Sequence, residues 1–199
     1  MKHLGLISLL VALSLSSCIG VYRANGPVES RSVMLAGGAE AIAVSHGIDV
    51  VVDATLAENE ARIVTHSDVI DYVKVYIDEQ TLYVELDAPR AISTNMLEVH
   101  IPKFGYSSLA ISAGAEFSDR EYSGAELVIA ASAGADLSLD ELRAKSANIS
   151  ASAGADVEVY VIESLVANAS AGADISYKGN PAKIEVSTSA GGGVERDND

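Results

Sequence analysis

Five acidic residues are placed as if to meet in space. Glu116, Asp136, Asp156 and Asp174 follow one another at steps of 20, 20 and 18 residues, and Asp49 stands in the same local setting further upstream. If each step is one coil of a stack, neighbouring carboxylates lie about 4.8 Å apart and repel by roughly 1 kcal/mol in water. Two chemistries follow. The acids form a solvated ladder on an outward face, where salt screens them and each helps to hold a bend. Alternatively, a hard cation such as Ca²⁺ relieves the repulsion, with Asp136 and Asp156, one full repeat apart, as the best pair. The ladder is the expectation, because the calcium-binding nonapeptide repeat needs a further glycine run that this chain lacks. No cofactor is expected.

Serines recur beside these acids at Ser112, Ser132, Ser152, Ser170 and Ser189. A nucleophilic serine needs a base within hydrogen-bond reach, and the histidines do not keep it company. They are His3, His46, His66 and His100. His46 takes the place of a recurring alanine at a coil corner, and His66 and His100 have no metal-ligand spacing with each other or with acids. Hydroxyls pairing between coils account for the serines. The enzymatic alternative is a cation-dependent, carbohydrate-active β-helix, with Arg143, Lys145, Tyr160 and Tyr177 as its basic and aromatic residues. It rests on fold analogy alone, none of these residues recurs as a cluster, and the expectation is a protein that is not an enzyme.

The elements that must position these residues are legible in the repeat itself, "SAGAD" and its variants, with serine-to-serine steps of 20, 20, 18 and 19. Five residues after each serine stand Phe117, Leu137, Val157, Ile175 and Val194. Three before it stand Leu109, Ile129, Ile149, Ala167 and Val186, and one after it Ala113, Ala133, Ala153, Ala171 and Ala190. These offsets differ by even numbers, so extended chain puts all three on one inward face and the serine, glycine and acid on the other. Short strands with a bend in each copy predict an all-β fold, a β-solenoid of about 20-residue coils. An antiparallel sandwich or barrel ranks second, since it has no need of identical residues at each bend. "AVSHGIDVVV", residues 43–52, is a cryptic copy that starts the solenoid near residue 40. Residues 53–108 form a divergent β section containing a hairpin, "VKVYIDEQTLYVEL", and a strand stopped by Pro102. The last copy, "SAGGGVERDND", reads as a coil with a polar cap.

The chain has 199 residues, 49% of them apolar, with a formal charge of −15. That suits one packed domain and argues against nucleic acid as a partner. Residues 1–17, with Lys2 ahead of an apolar run of about 12 residues, read as an export signal too short to span a bilayer. "LSSC" resembles a lipobox, so Cys18, the single cysteine, is expected to be lipidated and to anchor the protein to the membrane. Residues 18–31 then form a tether, 32–195 the solenoid domain and 196–199 a disordered tail, with no significant helix beyond the signal peptide.

The opening "RSVMLAGGAEAIAVSHGIDVVV", the middle "TLYVEL…LEVHIP", the repeated "SAGAD" and the ending "YKGNP…VSTSAGGG" together resemble the putative auto-transporter adhesin, head GIN domain family, over roughly residues 30–195. The resemblance implies a β-helical domain on bacterial envelope lipoproteins with no established catalytic role. The expected protein is therefore a non-enzymatic, lipid-anchored component of the bacterial cell envelope and outer membrane. It would be a rigid binding or structural module, adhesin-like, for a protein or glycan ligand, on either the periplasmic or the surface face.

Overall fold

The computed structural model describes residues 20–120 and 124–197. The expected signal peptide and Cys18 lie outside them. Apart from a 3-10 turn at Ile70–Tyr72, every regular element among the described residues is a strand.

The N-terminal section comprises β1 (Tyr22–Arg23), β2 (Val28–Met34), β3 (Ala41–Val44), β4 (Asp49–Val52), β5 (Glu60–His66), β6 (Val73–Asp78), β7 (Thr81–Leu86), β8 (Ile92–Ser93) and β9 (Leu97–Ile101). The repeats form β10 (Ser108–Ser112), β11 (Glu116–Ser118), β12 (Glu126–Ser132), β13 (Asp136–Ser152), β14 (Asp156–Ser170), β15 (Asp174–Lys178), β16 (Lys183–Ser189) and β17 (Gly193–Arg196). All the repeat strands pair in parallel, like residue on like residue, and β3 and β4 join the same ladders through β10 and β11. The cryptic copy at 43–52 is thus a coil of the solenoid.

The coil has two walls. In the serine wall run β3, β10, β12, the later halves of β13 and β14, and β16. In the acid wall run β4, β11, the earlier halves of β13 and β14, β15 and β17. The inward columns Ile42–Leu109–Ile129–Ile149–Ala167 and Val50–Phe117–Leu137–Val157–Ile175 are no more than 1% exposed, which makes them one continuous core. Period-2 alternation dictates this, since apolar residues two apart fall on one face of each strand.

The corner between walls departs from the expectation. Ala113, Ala133, Ala153 and Ala171 are exposed, and the inward corner alanines are Ala115, Ala135, Ala155 and Ala173. The reason is backbone conformation. Ala153 has φ 53° and Gly154 φ 71°, a left-handed pair repeated in each copy, which swings the first alanine out of the pleat. Space around Gly154 is open, so its glycine answers to φ and not to crowding. His46, with φ 68°, fills the same exposed corner position and does not point inward.

At the N-terminal end the serine wall is extended by β7, parallel to β3, and then by β6, antiparallel to β7. The hairpin turn is the pair Glu79–Gln80, both at positive φ, a combination that matches the twist of the flanking strands. The acid wall is extended by β9, then by β5 and β2, both antiparallel. β2 lies partly within the expected tether, and β1 pairs with β8, so residues 22–31 are drawn into the fold. Arg31 makes an ion pair with Asp71 at 2.6 Å and also donates to the Ile70 carbonyl. The expected tail is shortened too: Arg196 belongs to β17, and Asp197 N–H donates to the Tyr177 carbonyl at 2.9 Å. The last coil does not close its end, because Ile184 and Val186, inward by register, are 46% and 50% exposed.

Candidate functional site

The structure brings all five predicted acids into one column on the acid wall. Asp49 pairs with Glu116, Glu116 with Asp136, Asp136 with Asp156, and Asp156 with Asp174. Backbone bonds fix each rung: Asp136 N–H donates to Ala115 O at 3.0 Å, Asp156 to Ala135 O at 2.8 Å and Asp174 to Ala155 O at 2.9 Å. The column continues upstream to Glu98, paired with Asp49. Sequence reasoning missed Glu98 because residues 53–108 interrupt the repeat. The available signal was its outward parity in "LEVHI". Downstream the column stops at Gly193, where a side chain would meet Asp174 Oδ1 at 2.4 Å. The carboxylate of one rung thus occupies the space of the next.

Burial is the main cause that pushes the Asp49 carboxyl above its ordinary range, followed by the charges of Glu116 and Glu98. Burial and then Asp156 do the same for Asp136. Among the described residues Asp49, Glu116, Asp136, Asp156 and Asp174 make no ion pair. No group of three or more His, Cys, Asp or Glu residues there could hold a metal ion. The Asp136–Asp156 pair therefore offers a cation two carboxylates and no third such ligand.

A second constellation lies beside the head of the column. His100 Nε2 is 2.7 Å from Glu98 Oε1, and its Nδ1 is 3.6 Å from Asp53 Oδ2. Glu98 and His100 sit two apart on one strand face, which brings them into contact, but with Asp53 they form no group that could hold a metal ion. Asp53 is held below the usual carboxylate range by the hydroxyl and N–H of Thr55 and, more weakly, by His100. His66 is held elsewhere, with Nδ1 2.6 Å from Gly26 O and Nε2 2.8 Å from Asn95 Oδ1. These acceptors, Gly26 first, raise its pKa.

The serines stack in register, but the expected hydroxyl ladder is not formed. Among the described residues no column serine hydroxyl from Ser112 to Ser189 makes a hydrogen bond. The carbonyls of Ser112, Ser132, Ser170 and Ser189 act instead, closing the corner by accepting from the N–H three residues on, as in Ala173 to Ser170 at 3.1 Å. Of the basic and aromatic residues weighed for an enzyme, only Arg143 and Tyr160 come together. Arg143 lies 5.1 Å over the Tyr160 ring, Lys145 is exposed and Tyr177 is buried at 8% exposure. The buried charged residue that sequence reasoning missed is Asp119, which accepts the Tyr106 hydroxyl at 2.7 Å beside Phe117. Its signal was an acid at the inward parity of β11. An open cleft of about 640 Å³, lined by Glu40, Glu58, Asn59, Gln80 and Phe104 among others, lies near the junction with the N-terminal section.

The geometry is that of a scaffold with two chemically different outer faces. Residues 108–181 match the family described as putative auto-transporter adhesin, head GIN domain, a span narrower than the resemblance over 30–195. No curated protein matches the chain. The solved structure of a putative adhesin from Bacteroides fragilis NCTC 9343 aligns with 88% of this chain and 99% of its own, with a TM-score of 0.61 at 11% identity. A putative lipid binding protein from Parabacteroides distasonis ATCC 8503 aligns over 90% and 100%, with a TM-score of 0.49 at 12% identity. A putative adhesin from Parabacteroides merdae ATCC 43184 aligns over 89% and 99%, with a TM-score of 0.44 at 12% identity. At such identities the Bacteroides fragilis structure speaks for the fold alone, and the other two are too loosely superposed to argue from.

Proposed function

We propose that this chain, whose residues 108–181 match the head GIN domain family, is a non-enzymatic, adhesin-like module of the bacterial envelope, lipid-anchored at Cys18. One observation carries the proposal: the parallel register from β3 to β17 makes a stiff stack whose outer positions repeat in straight columns. Such a stack holds a broad surface at a fixed orientation, which suits contact with a protein or glycan better than enclosure of a small substrate. The lipobox-like "LSSC" and the family match over the repeats support the envelope setting.

Protease shaving of intact cells, with a periplasmic control followed in parallel, tests the adhesive part. Cleavage of this protein while the control survives is the expected result. Protection until the outer membrane is opened removes the adhesive reading and leaves an internal envelope module. Metabolic labelling with a fatty acid tests the anchor: the wild type takes up label and Cys18→Ser does not, and an unlabelled wild type overturns anchoring.

A further inference from the structure

The last coil leaves one edge of the serine wall without a neighbour among the described strands. β16 pairs with β14 on one side only, and all seven of its residues are exposed. The direction of its free backbone groups can be read from the coils before it. In this wall outward-facing residues bond backwards: Val128 N–H donates to Ser107 O at 2.9 Å and Ser146 N–H to Ala125 O at 3.0 Å. Parallel ladders alternate direction residue by residue. On β16, therefore, the N–H and C=O groups of Ile184, Val186 and Thr188 face away from the stack. The same residues carry the inward side chains, so unpaired backbone and exposed apolar surface coincide.

Charge decides what can cover this edge. The chain carries −15 in all, and most of its surfaces would repel a second copy. The terminal coil is different. Lys178, Lys183 and Arg196 balance Glu185, Glu195 and Asp197, so residues 178–197 have no net formal charge. The acid column has also ended, at Gly193. The strand is moreover self-complementary: with Ile184 opposite Ile184 of a second, antiparallel copy, Lys183 faces Glu185 of that copy and Glu185 faces its Lys183. In this register the free N–H and C=O of the two Ile184 residues satisfy each other.

We propose that two copies of this chain associate tip to tip, β16 pairing antiparallel with β16 about a two-fold axis at Ile184. A two-fold contact closes on itself. The inference rests on the fold and not on the adhesive reading, and it stands whether or not the protein reaches the cell surface.

Sedimentation of the purified protein across the micromolar range tests it. The expected result is a species of twice the mass of the purified monomer. Lys183→Glu sets like charges opposite each other twice and should give monomer at the same concentrations. The swap Lys183→Glu with Glu185→Lys should restore the dimer. Both side chains face solvent, so the melting temperature serves as a check that each variant is folded. A wild type that stays monomeric overturns the proposal, as would a dimer left intact by Lys183→Glu or not restored by the swap. Growth beyond a dimer overturns it in favour of head-to-tail stacking.

Discussion

The serine wall and the acid wall share one core, yet their outer faces follow different rules. The serine wall presents Ser108, Ala110 and Ser112, then Asn148, Ser150 and Ser152, then Val166, Asn168 and Ser170, small polar or apolar residues in line, with no recurring acid column among the described residues. The acid wall presents Asp49, Glu116, Asp136, Asp156 and Asp174 in line, with Glu158 and Glu195 beside them. In a parallel stack each outward residue meets its own counterpart one strand spacing away, so any chemistry placed there is multiplied. Small polar groups multiply without penalty. Carboxylates multiply their repulsion, which adds to burial, the larger cause, in raising the pKa values of Asp49 and Asp136. The walls differ in what the core must offset.

The largest effect comes from the core the walls share. Ile149→Ala in the serine wall and Leu137→Ala in the acid wall should each cost about 2–5 kcal/mol in denaturant unfolding. Both side chains are fully buried in one cluster. A large loss at one site and little at the other would break the picture of a common core.

The corner between the walls comes next. Gly154→Ala places a second Cβ at positive φ and should cost about 1 kcal/mol. Ala153→Gly should cost nothing or stabilise, because it removes the Cβ from the left-handed position. The reverse order, read by thermal unfolding, would mean that crowding and not φ selects these residues.

A smaller effect separates the walls by pH. The folded pKa values of Asp49 and Asp136 are raised, so their charges oppose folding at neutral pH. That opposition is relieved as pH falls through the raised values and is gone below the ordinary 3.8. His66, raised above 6.5, contributes stability that is present below 6.5 and lost as pH rises through its folded value. Asp53 and Asp68, the latter held by the Asn25 N–H and the Tyr22 hydroxyl, are lowered, and what they contribute is lost as pH falls below 3.8. Tm should therefore peak between pH 3.8 and 6.5. Asp136→Asn should raise Tm at neutral pH, by an amount worth about 1 kcal/mol or less, and weaken the gain on acidification. A Tm that only falls from neutral pH downward would refute the ladder as a source of strain.

The smallest expected effect is none. EDTA should leave Tm unchanged, because the acids of the column come as coil-to-coil pairs without a third ligand. A clear drop would make the acid wall a cation site after all.

The strands, their parallel stacking and the acid column were legible because a repeat with period-2 alternation states the same residue environment several times over. "SAGAD" could be set in register by eye, and the cryptic copy at Ser45–Asp49 obeyed the same plan. Where the repeat lapses, so did legibility. Glu98 joins the column from a segment with no repeat, and His100 meets Asp53 across strands that sequence spacing cannot relate. β2 looked like tether because its pairing with β5 leaves most of its side chains exposed, with no apolar alternation to announce it.

By itself the sequence determined which faces are apolar, where the bends fall and which acids share a column, since these follow from local periodicity and from repetition. The tertiary structure decided what depends on backbone angle and on neighbours. It turned Ala113 and its counterparts outward through positive φ, left the column hydroxyls from Ser112 to Ser189 without a hydrogen bond among the described residues, buried Asp119 against Tyr106 and left Ile184 and Val186 open at the last coil. Alternation gives the parity of a residue. Only the stacked neighbour, or its absence, settles whether that residue is covered.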